Sequence, residues 1–555
     1  MANEAGGTQT VGGYVLDRLY ALGLRHIFGI PGDYVLGLYR LIEDSPIQHV
    51  GTTREDCAGF AADAYARLNG IGAACLTYCV GGLNAVNAIA CAYAERSPVV
   101  LLSGSPGLAE RRRTPLLHHM VRDFSTQQEV YEKITVAATV INDPLTAPRE
   151  VDRALAALQR YKRPVYLEIP RDLVFAPLGN PLRPPADPPD ASDADALAEA
   201  VAEVSAMLAS ARRPVVLAGA EVHRFGLQET LLRLVERLQM PVASTLLGKS
   251  VIREDHPLFV GVYGGLIGRD AVNRFVDESD CCLMLGSILT DIDLDASSPG
   301  ISEARTVHAT ADRIAVKHHQ YGQIRFEDFL HALADAPLPA APIRPLPGRE
   351  EGPAEPPAAD SPATLAGVFR QLEQILDENM VVIADVGESL FAAADLRVHR
   401  AAEFLSPAYY TTMGFAVPAA LGAGVAAPTL RPLVLVGDGA FQMTGTELST
   451  CVRYGQSPIV VILNNRGYST EREMLDGPFN DIAEWRYERV CDLVGGGVGH
   501  VADTHGAVAD ALEAALDDPR HMHVLNVRLD PADRSPAMRR LAGRLARRLS
   551  LGRPE

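Results

Sequence analysis

The sequence predicts an α/β protein built of three doubly wound domains, each with a parallel sheet covered by helices on both faces. Short runs of Val, Ile and Leu alternate with segments of helical period, for example at 99–102, 215–217, 281–285, 381–383 and 434–436. Such runs are typical of strands that are buried on both faces. At 555 residues, the chain is also too long for a single hydrophobic core and fits about three domains by size.

Two stretches rich in Pro and Ala divide this pattern. They lie at 177–189 and at 337–362, and neither favours a helix or a central strand because proline lacks the backbone N–H. The predicted domains are therefore residues 1–180, 190–335 and 362–555.

An internal similarity links the first and third predicted domains. Residues 94–102 resemble residues 454–462, since in each segment a Ser-Pro pair precedes an apolar run. Such phrases also recur by chance in α/β proteins. The similarity nevertheless predicts that the two outer domains share a topology.

Composition excludes some classes of partner. The formal net charge is −18, which disfavours nucleic acid or an anionic membrane as the main partner. The one strongly basic stretch, Arg539–Arg548, is expected to form a solvated amphipathic helix rather than a membrane or nucleic-acid contact. The N-terminus lacks a basic region followed by an apolar core, so no signal peptide is expected, and no run of about 18 apolar residues that could cross a membrane occurs. The eight cysteines lack metal-type spacing and indicate buried thiols in a reducing compartment, so we expect a soluble, cytoplasmic protein.

A polar motif follows two buried strands of the third domain. Val436-Gly437-Asp438-Gly439 comes after the apolar run 432–436, and Asn464-Asn465 comes after the run 458–463. Because neighbouring parallel strands end at the same edge of a sheet, Asp438 and Asn465 are expected to meet there. Together with the carbonyl of Gly467 they would suit Mg²⁺, which prefers oxygen ligands and phosphate. The alternative is a Gly-Asp-Gly turn beside an unrelated Asn pair.

This motif, with its spacing, resembles the signature of thiamine diphosphate (ThDP) enzymes. The resemblance implies ThDP and Mg²⁺ as cofactors and three domains, which are pyrimidine-binding, central Rossmann-like and diphosphate-binding. Met413 matches the bulky apolar residue that supports the bent cofactor in this family, although from the sequence alone it would be a core residue. The cofactor-binding residues implied in the third domain are Gly387, Ser389, Met413, Gly437, Asp438, Gly439, Ala440, Asn465, Gly467 and Tyr468.

Glu55 is the candidate carboxylate on the pyrimidine side of the cofactor. It begins a small-residue helix in the segment 53–67, which resembles the corresponding helix of ThDP enzymes. There the glutamate hydrogen-bonds N1′ of the pyrimidine and favours the imino tautomer that deprotonates the thiazolium C2. The alternative is a plain capping role, since a helix N-terminus attracts any carboxylate.

Two further motifs resemble the 2-keto acid decarboxylases, the branch that includes the pyruvate, indolepyruvate and phenylpyruvate enzymes. Gly29-Ile30-Pro31-Gly32-Asp33 places Asp33 in a turn after a strand, and His118-His119 is an adjacent pair. The resemblance implies that these three side chains handle protons during catalysis. Neighbouring histidines on a helix point to different sides, so a shared metal is not expected. A second pair, His318-His319, has no family residues around it and is predicted to lie on the surface.

Glu471 completes the catalytic residues that the resemblance implies. It lies six residues beyond Asn465, where pyruvate-decarboxylase-like enzymes carry a glutamate beside the substrate carboxylate. A carboxyl group near a second carboxylate and away from water tends to keep its proton and could act as an acid. A plain surface glutamate is the alternative.

The resemblance also implies the reaction. The ylid of bound ThDP attacks the keto carbon of a 2-keto acid, CO2 leaves, and protonation of the remaining enamine releases an aldehyde. In the family the first domain of one subunit faces the third domain of another, so we expect at least a homodimer and, as is common there, a homotetramer. The middle-domain segment 261–268 is not a dinucleotide fingerprint, so neither FAD nor NAD is indicated.

The substrate is expected to be an aromatic or bulky 2-keto acid such as phenylpyruvate or indolepyruvate. Segments 406–415 and 479–486 look most like the phenylpyruvate branch, whereas Glu471 follows the pyruvate and indolepyruvate pattern. Pyruvate and branched-chain acids remain alternatives. Two other functions are also alternatives. A ThDP carboligase or synthase would not need Asp33 with the histidine pair, and a non-catalytic ThDP-binding protein would lack at least one catalytic group.

Overall fold

The computed structural model describes residues 9–112, 116–179, 191–294, 301–347, 357–398 and 403–551. It contains three mostly parallel sheets flanked by helices, which confirms the predicted α/β class. The chain forms two compact units, Met1–Asp190 with Leu421–Pro428 and Ala191–Ala420 with Thr429–Glu555. The middle and third sheets thus lie in one unit, and the three predicted domain ranges stay a prediction. Most of the first Pro-rich stretch and part of the second lie outside the described residues.

The first sheet has six parallel strands in the order β2-β1-β3-β4-β6-β5. Its strands are β1 (His26–Gly29), β2 (Gln48–Gly51), β3 (Gly72–Leu76), β4 (Val99–Ser105), β5 (Ala137–Val140) and β6 (Val165–Pro170). The helices of this part are α1 (Val11–Ala21), α2 (Leu36–Glu43), α3 (Glu55–Asn69), α4 (Val86–Ala94), α5 (Leu108–Arg111), α6 (Thr126–Tyr131) and α7 (Ala147–Tyr161).

The middle sheet has seven strands in the order β13-β12-β11-β10-β7-β8-β9, with β12 and β13 antiparallel. Its strands are β7 (Pro214–Ala218), β8 (Val242–Thr245), β9 (Phe259–Tyr263), β10 (Cys281–Leu285), β11 (Thr306–Ala309), β12 (Ile314–Val316) and β13 (His319–Tyr321). The helices are α8 (Ala194–Ser210), α9 (Ala220–Arg224), α10 (Gln228–Leu238), α11 (Asp270–Asp277) and α12 (Phe326–Asp335). Val215 and Val216 belong to different hydrophobic clusters, because successive side chains of a strand face opposite sides. This burial on both faces explains why the strand reads as an unbroken apolar run.

The third sheet repeats the strand order of the first. Its order is β15-β14-β16-β17-β19-β18. In this order β17, which follows Ser457-Pro458, has the same position as β4, which follows Ser97-Pro98, has in the first sheet. The predicted shared topology is thus confirmed. The strands are β14 (Met380–Ala384), β15 (Glu403–Leu405), β16 (Arg431–Gly437), β17 (Ile459–Asn464), β18 (Val498–Ala502) and β19 (His523–Arg528). The helices are α13 (Leu365–Ile375), α14 (Glu388–Asp395), α15 (Ala416–Ala426), α16 (Asp438–Thr444), α17 (Leu448–Arg453), α18 (Ser469–Met474), α19 (Val490–Val494), α20 (His505–Asp517) and α21 (Pro536–Leu551).

The basic C-terminal helix α21 differs from its prediction as a solvated helix. Arg540 donates to the carbonyl of Ile267 at 2.7 Å and to Asp395 at 2.7 Å. Arg544 is 8% exposed and donates to the carbonyls of Gly265 and Gly268. The prediction is wrong for these two side chains, because backbone carbonyls of the loop before α11 attract the guanidinium groups.

Two other expectations concern the cysteines and membrane-spanning helices. All eight cysteines are buried and free of disulfides. In the part of the chain that the structure describes, no helix is both long and apolar enough to cross a bilayer.

Candidate active site

The ends of β16 and β17 bring Asp438 and Asn465 to one cavity. Gly437, the last residue of β16, pairs with Leu463 of β17, so the residues that follow the two strands start at the same edge of the sheet. Asp438 Oδ1 accepts from the amide of Gly439 at 2.9 Å, and Oδ2 accepts from the amide of Arg466 at 2.6 Å. Arg466 has a left-handed backbone, with φ 62°, and this turn wraps the chain around the carboxylate.

Burial makes the charge of Asp438 costly. The residue is 1% exposed, and desolvation raises the pKa of its carboxyl group to about 6, although backbone N–H donors oppose the rise. A bound divalent cation would offset this cost, because an opposite charge nearby favours the ionised form. The site therefore has the electrostatic character of a cation site made of oxygen ligands.

The cavity collects every site residue that the sequence predicts in the second unit. Phe391 and Glu388 also contribute to its wall. The predicted residues that line it are Gly387, Ser389, Met413, Gly437, Asp438, Gly439, Ala440, Asn465, Gly467, Tyr468 and Glu471. The structure thus brings these eleven residues together, while their roles stay predictions.

Several features of the cavity fit a diphosphate held with a metal ion. A Cβ atom added to Gly437 would meet no heavy atom within 4 Å, whereas one added to Gly439 would lie 2.6 Å from the ring of Tyr468. The space beside Gly437 is therefore open, and the backbone is accessible there. The hydroxyl of Ser389 is buried and has no hydrogen-bond partner among the described residues, so it is available to a ligand. Gly387 has φ 87°, a conformation that favours glycine.

Asp385 is a residue of this site that sequence reasoning missed. It is fully buried, and desolvation raises the pKa of its carboxyl group to about 6. Its oxygens accept from the amides of Val386 at 2.9 Å, Gly414 at 3.1 Å and Ala416 at 2.8 Å. Asp385 thereby fixes both the start of α14 and the loop that carries Met413. Its position directly after the apolar run 380–384, which forms β14, was the available signal, since polar side chains at strand ends mark this edge of the sheet.

Glu471 lies on α18 and lines the cavity, but it is exposed to solvent in this chain. The shielding from water expected for it is not provided by the described residues of the unit. The turn before α18 is fixed, because the amide of Tyr468 donates to the carbonyl of Asn480 at 2.9 Å.

In the first unit, Glu55 stands at the start of α3 as predicted and has a partner that the sequence did not reveal. The side-chain amide of Asn84 donates to Glu55 Oε2 at 2.6 Å. Within the same helix, Arg67 and Asp63 form a buried ion pair at 2.8 Å, so those two motif residues stabilise the helix instead of lining a site. Glu55 is half-buried, which leaves its second oxygen available to a ligand.

Asp33 and the histidine pair form one cluster. His118 Nε2 lies 2.6 Å from Asp33 Oδ2, and His118 Nδ1 lies 3.3 Å from the hydroxyl of Tyr34. The rings of Tyr34 and His118 stack at 4.7 Å between centroids. The rings of His118 and His119 are in edge contact at 4.8 Å, and Nδ1 of His119 is buried without a hydrogen-bond partner among the described residues.

The expectation that the two histidines occupy a helix is wrong. They lie in a turn, and His119 has a left-handed backbone with φ 68°, which brings both rings to the same side. Ligand atoms of Asp33, His118 and His119 all lie within 4.8 Å of one another. The reason given against a shared metal therefore does not hold. The other pair, His318 and His319, is exposed as predicted.

Arg171 and Glu110 surround the Asp33 cluster and were not predicted. Arg171 Nε donates to Glu110 at 2.9 Å, and Arg171 Nη1 lies 3.9 Å from Asp33 Oδ2. The hydrogen bond from Arg171 lowers the pKa of the Glu110 carboxyl group. The guanidinium also lies over the ring of Tyr34, 5.0 Å from its centroid. These contacts hold Asp33 and Tyr34 in place beside His118.

A buried polar network links the segment before the histidine pair to the segment before Asn84. Glu168, which is fully buried, accepts from Arg111 at 2.8 Å and from Tyr166 at 2.6 Å. Gln127 donates to the hydroxyl of Tyr166 at 2.6 Å and accepts from the amide of Cys79 at 2.7 Å. Because Arg111 precedes the histidine pair and Cys79 precedes Asn84, one network restrains both segments.

Comparison with known proteins gives one consistent result. Three family models match: Thiamine pyrophosphate enzyme, N-terminal TPP binding domain, at residues 9–130; central domain, at 201–333; and C-terminal TPP binding domain, at 385–527. Thiamine pyrophosphate is a synonym of ThDP.

Relatives match over most of their length. Indole-3-pyruvate decarboxylase of Azospirillum brasilense is 38% identical over 85% of this chain and 87% of its own. Alpha-keto-acid decarboxylase of Mycolicibacterium paratuberculosis is 34% identical over 93% of each chain. Pyruvate decarboxylase of Neurospora crassa is 31% identical over 96% of this chain and 95% of its own.

Proposed function

The chain belongs to the ThDP-dependent 2-keto acid decarboxylases, and we propose that its substrate is an aromatic or bulky 2-keto acid such as phenylpyruvate or indolepyruvate. The enzyme binds ThDP and removes CO2 from a 2-keto acid. The relative named for indole-3-pyruvate shares 38% identity, against 31% and 34% for the two other relatives described above. This difference favours the aromatic class.

The observation that carries the proposal is a group of exposed aromatic side chains on segments attached to the cavity around Asp438 and Asn465, which we refer to as the cofactor cavity. Tyr409 and Tyr410 precede Met413, and Phe479 and Trp485 follow α18. Their exposed fractions are 41%, 38%, 65% and 46%. Large exposed apolar side chains near a cavity mark a surface for an apolar ligand or partner, and an aromatic substrate would be such a ligand.

Hydrogen bonds attach these segments to the cavity wall. Gln442 on α16 donates to the carbonyl of Ala483 at 2.6 Å and to the hydroxyl of Tyr487 at 2.8 Å. The carbonyl of Asn480 accepts from Tyr468, which lines the cavity. The segment with Phe479 and Trp485 is therefore held at a fixed position relative to Asp438 and Gly467, and Asp385 holds the loop that follows Tyr409 and Tyr410 through the amide of Gly414.

The cofactor would be held by the groups described above. We propose that Asp438, Asn465 and the carbonyl of Gly467 bind Mg²⁺, and that Ser389 and the backbone at 437–440 hold the diphosphate. Bound ThDP supplies the nucleophilic carbon and the electron sink for loss of CO2. Met413 would support the bound cofactor, in a loop that Asp385 fixes.

The remaining proposed residues handle protons and orient the substrate. Glu55, positioned by Asn84, would hydrogen-bond the pyrimidine. Asp33 and His118 share a short hydrogen bond and can pass a proton between them, and His119 and Glu471 would complete the set. The product is an aldehyde.

An aliphatic substrate is the second candidate, because relatives named for pyruvate match at 31–33% identity over 94–96% of this chain, against 85% for the relative named for indole-3-pyruvate. A carboligase that uses the same cofactor is a third. We further propose a cytoplasmic enzyme that is at least a homodimer and forms a homotetramer, as the family resemblance implies.

The test is product formation from phenylpyruvate, indolepyruvate, pyruvate and 2-ketoisovalerate with ThDP and Mg²⁺ present. We expect CO2 and aldehyde to form fastest from the aromatic acids and to be lost in Glu55→Gln. Aldehyde from pyruvate alone would overturn the aromatic substrate, and hydroxyketone as the main product would favour a carboligase.

A further inference from the structure

A second cavity lies in the unit that holds the cofactor cavity, and we refer to it as the distal cavity. It is lined by β9, by the loop before α11 and by parts of α13 and α14. Its apolar wall includes Phe259, Val262, Ile267 and Ala394. Because β9 is the terminal strand of the middle sheet, the cavity lies along a sheet edge.

The charged residues of the distal cavity are of two kinds. Asp395 accepts from Arg269 at 3.1 Å and from Arg540 at 2.7 Å, and Glu254 is paired with a buried lysine. Arg397 and Glu373, by contrast, are half-buried and form no hydrogen bond or ion pair within the described ranges of the chain. The cavity therefore offers one cation and one anion that have no protein partner.

A single short helix connects the distal cavity to the cofactor cavity. Glu388 and Ser389 at the start of α14 line the cofactor cavity, and Ala394 and Asp395 at its end line the distal cavity. The eight residues of α14 give seven steps of about 1.5 Å, so its two ends lie about 10 Å apart. A ligand that shifts one end of so short a helix can displace the groups at the other end, and the rate measurement below tests whether it does so.

We propose that the distal cavity binds an α-amino acid and thereby changes the rate of decarboxylation. The guanidinium of Arg397 would bind the carboxylate, Glu373 would bind the ammonium group, and the apolar wall would take the side chain. A 2-keto acid carries the same carboxylate but no cation for Glu373, so the amino acid fits the free charges better. Only the choice of an aromatic amino acid as probe rests on the proposed function.

The binding test uses calorimetric titration of the ThDP- and Mg²⁺-loaded enzyme with L-phenylalanine. Arg397→Gln should weaken binding about tenfold or more, because it removes a charge-assisted hydrogen bond, and Glu373→Gln should do the same. Arg212→Gln, at an exposed arginine outside the cavity, is the matched control and should bind like the wild type. Binding needs no turnover, so the result does not depend on which 2-keto acid is the substrate.

Analogues separate the two charges. 2-Phenylethylamine lacks the carboxylate and 3-phenylpropanoate lacks the ammonium group, and each should bind more weakly than phenylalanine. Equal binding of 3-phenylpropanoate, unaffected by Glu373→Gln, would overturn the amino-acid assignment in favour of a plain carboxylate. Unchanged phenylalanine binding in Arg397→Gln, or no binding at millimolar concentration, would overturn the site itself.

The coupling test is the steady-state rate with saturating phenylalanine. We expect at least a twofold change of kcat or KM in the wild type and in Arg212→Gln, and none in Arg397→Gln. Binding without any change in rate would overturn the coupling through α14.

Discussion

Replacement of Asp438 by Asn should make the cofactor-free protein more stable at neutral pH while it abolishes Mg²⁺ binding. The carboxyl group has its pKa raised from 3.8 to about 6 by burial. At 1.36 kcal/mol for each pKa unit, ionising this group in the folded protein costs about 3 kcal/mol. The amide of Asn carries no charge, so this cost disappears in Asp438→Asn.

Part of the gain is lost to hydrogen bonding. Both carboxylate oxygens accept from backbone amides, of Gly439 and Arg466, whereas the NH2 group of Asn cannot accept. One lost hydrogen bond costs about 1 kcal/mol. We therefore expect a net stabilisation of about 2 kcal/mol at pH 7 in the absence of metal.

The direction of the pH dependence tests whether the cost of ionising Asp438 explains the stabilisation. Because the pKa of Asp438 is higher in the folded than in the unfolded state, its contribution to stability is largest below pH 4 and is lost as the pH rises through about 6. The advantage of Asp438→Asn should thus be present at pH 7 and should fall as the pH is lowered toward 4. Mg²⁺ with ThDP should stabilise the wild type and leave the variant unchanged.

The assay is urea unfolding of the cofactor-free proteins between pH 4.5 and 7.5, with metal binding followed by calorimetry. Asp385→Asn is the contrasting variant, since its carboxyl group has a pKa that is also raised to about 6 by burial but accepts from three backbone amides. By the same arithmetic its gain of about 3 kcal/mol is reduced by one or two lost hydrogen bonds of about 1 kcal/mol each, so it should be stabilised by only about 1–2 kcal/mol at pH 7. A less stable Asp438→Asn, or an advantage that does not vary with pH, would refute the reasoning.

Three further predictions concern the surroundings of the site. Lys249 and Glu254 form a buried pair at 2.7 Å, and Glu254 also accepts from the amide of Val398 at 2.9 Å. Lys249→Met should therefore lower the free energy of unfolding by about 3–5 kcal/mol. Hydrogen exchange of the peptide with Val398 should become faster by about two orders of magnitude or more, and an increase below about tenfold would contradict the prediction. Glu168→Gln should lower kcat/KM at least tenfold and shift the pH–rate profile, because Arg111 loses its buried partner, and an unchanged profile would limit Glu168 to a structural role. Gly437→Ala should leave the melting temperature unchanged because its Cβ meets no protein atom, yet weaken ThDP binding measured by fluorescence quenching, and unaltered affinity would place the diphosphate elsewhere.

Local sequence patterns were sufficient for the sheets and for the polar strand ends. The apolar runs before Asp438 and Asn465 predicted β16 and β17, and both residues follow the strand ends directly. The Ser-Pro phrases predicted the shared strand order of the outer sheets. These features can be predicted because burial on both faces gives a strand an unbroken apolar run, and because parallel strands end at the same edge of the sheet.

Predictions that depended on a presumed local conformation succeeded less well. His118 and His119 were assigned to a helix, but a left-handed residue turns the chain and brings both rings toward Asp33. The basic segment that contains Arg540 and Arg544 does form a helix, yet these two side chains bind carbonyls of the middle part of the chain. Periodicity describes which side chains share a face of a helix, and it contains no information about which distant groups will meet that face.

The sequence by itself determined the α/β class through its alternating apolar runs, and its short motifs predicted the family by resemblance and eleven of the residues that line the cofactor cavity. Only the tertiary structure decided that Asn84 holds Glu55, that Asp385 fixes the loop of Met413, and that Glu168 joins Arg111 to the segment before Asn84. The physical reason is that buried polar groups take whichever partner lies within hydrogen-bond distance. That distance is set by how the sheets and helices pack, and residues far apart in sequence become neighbours only there.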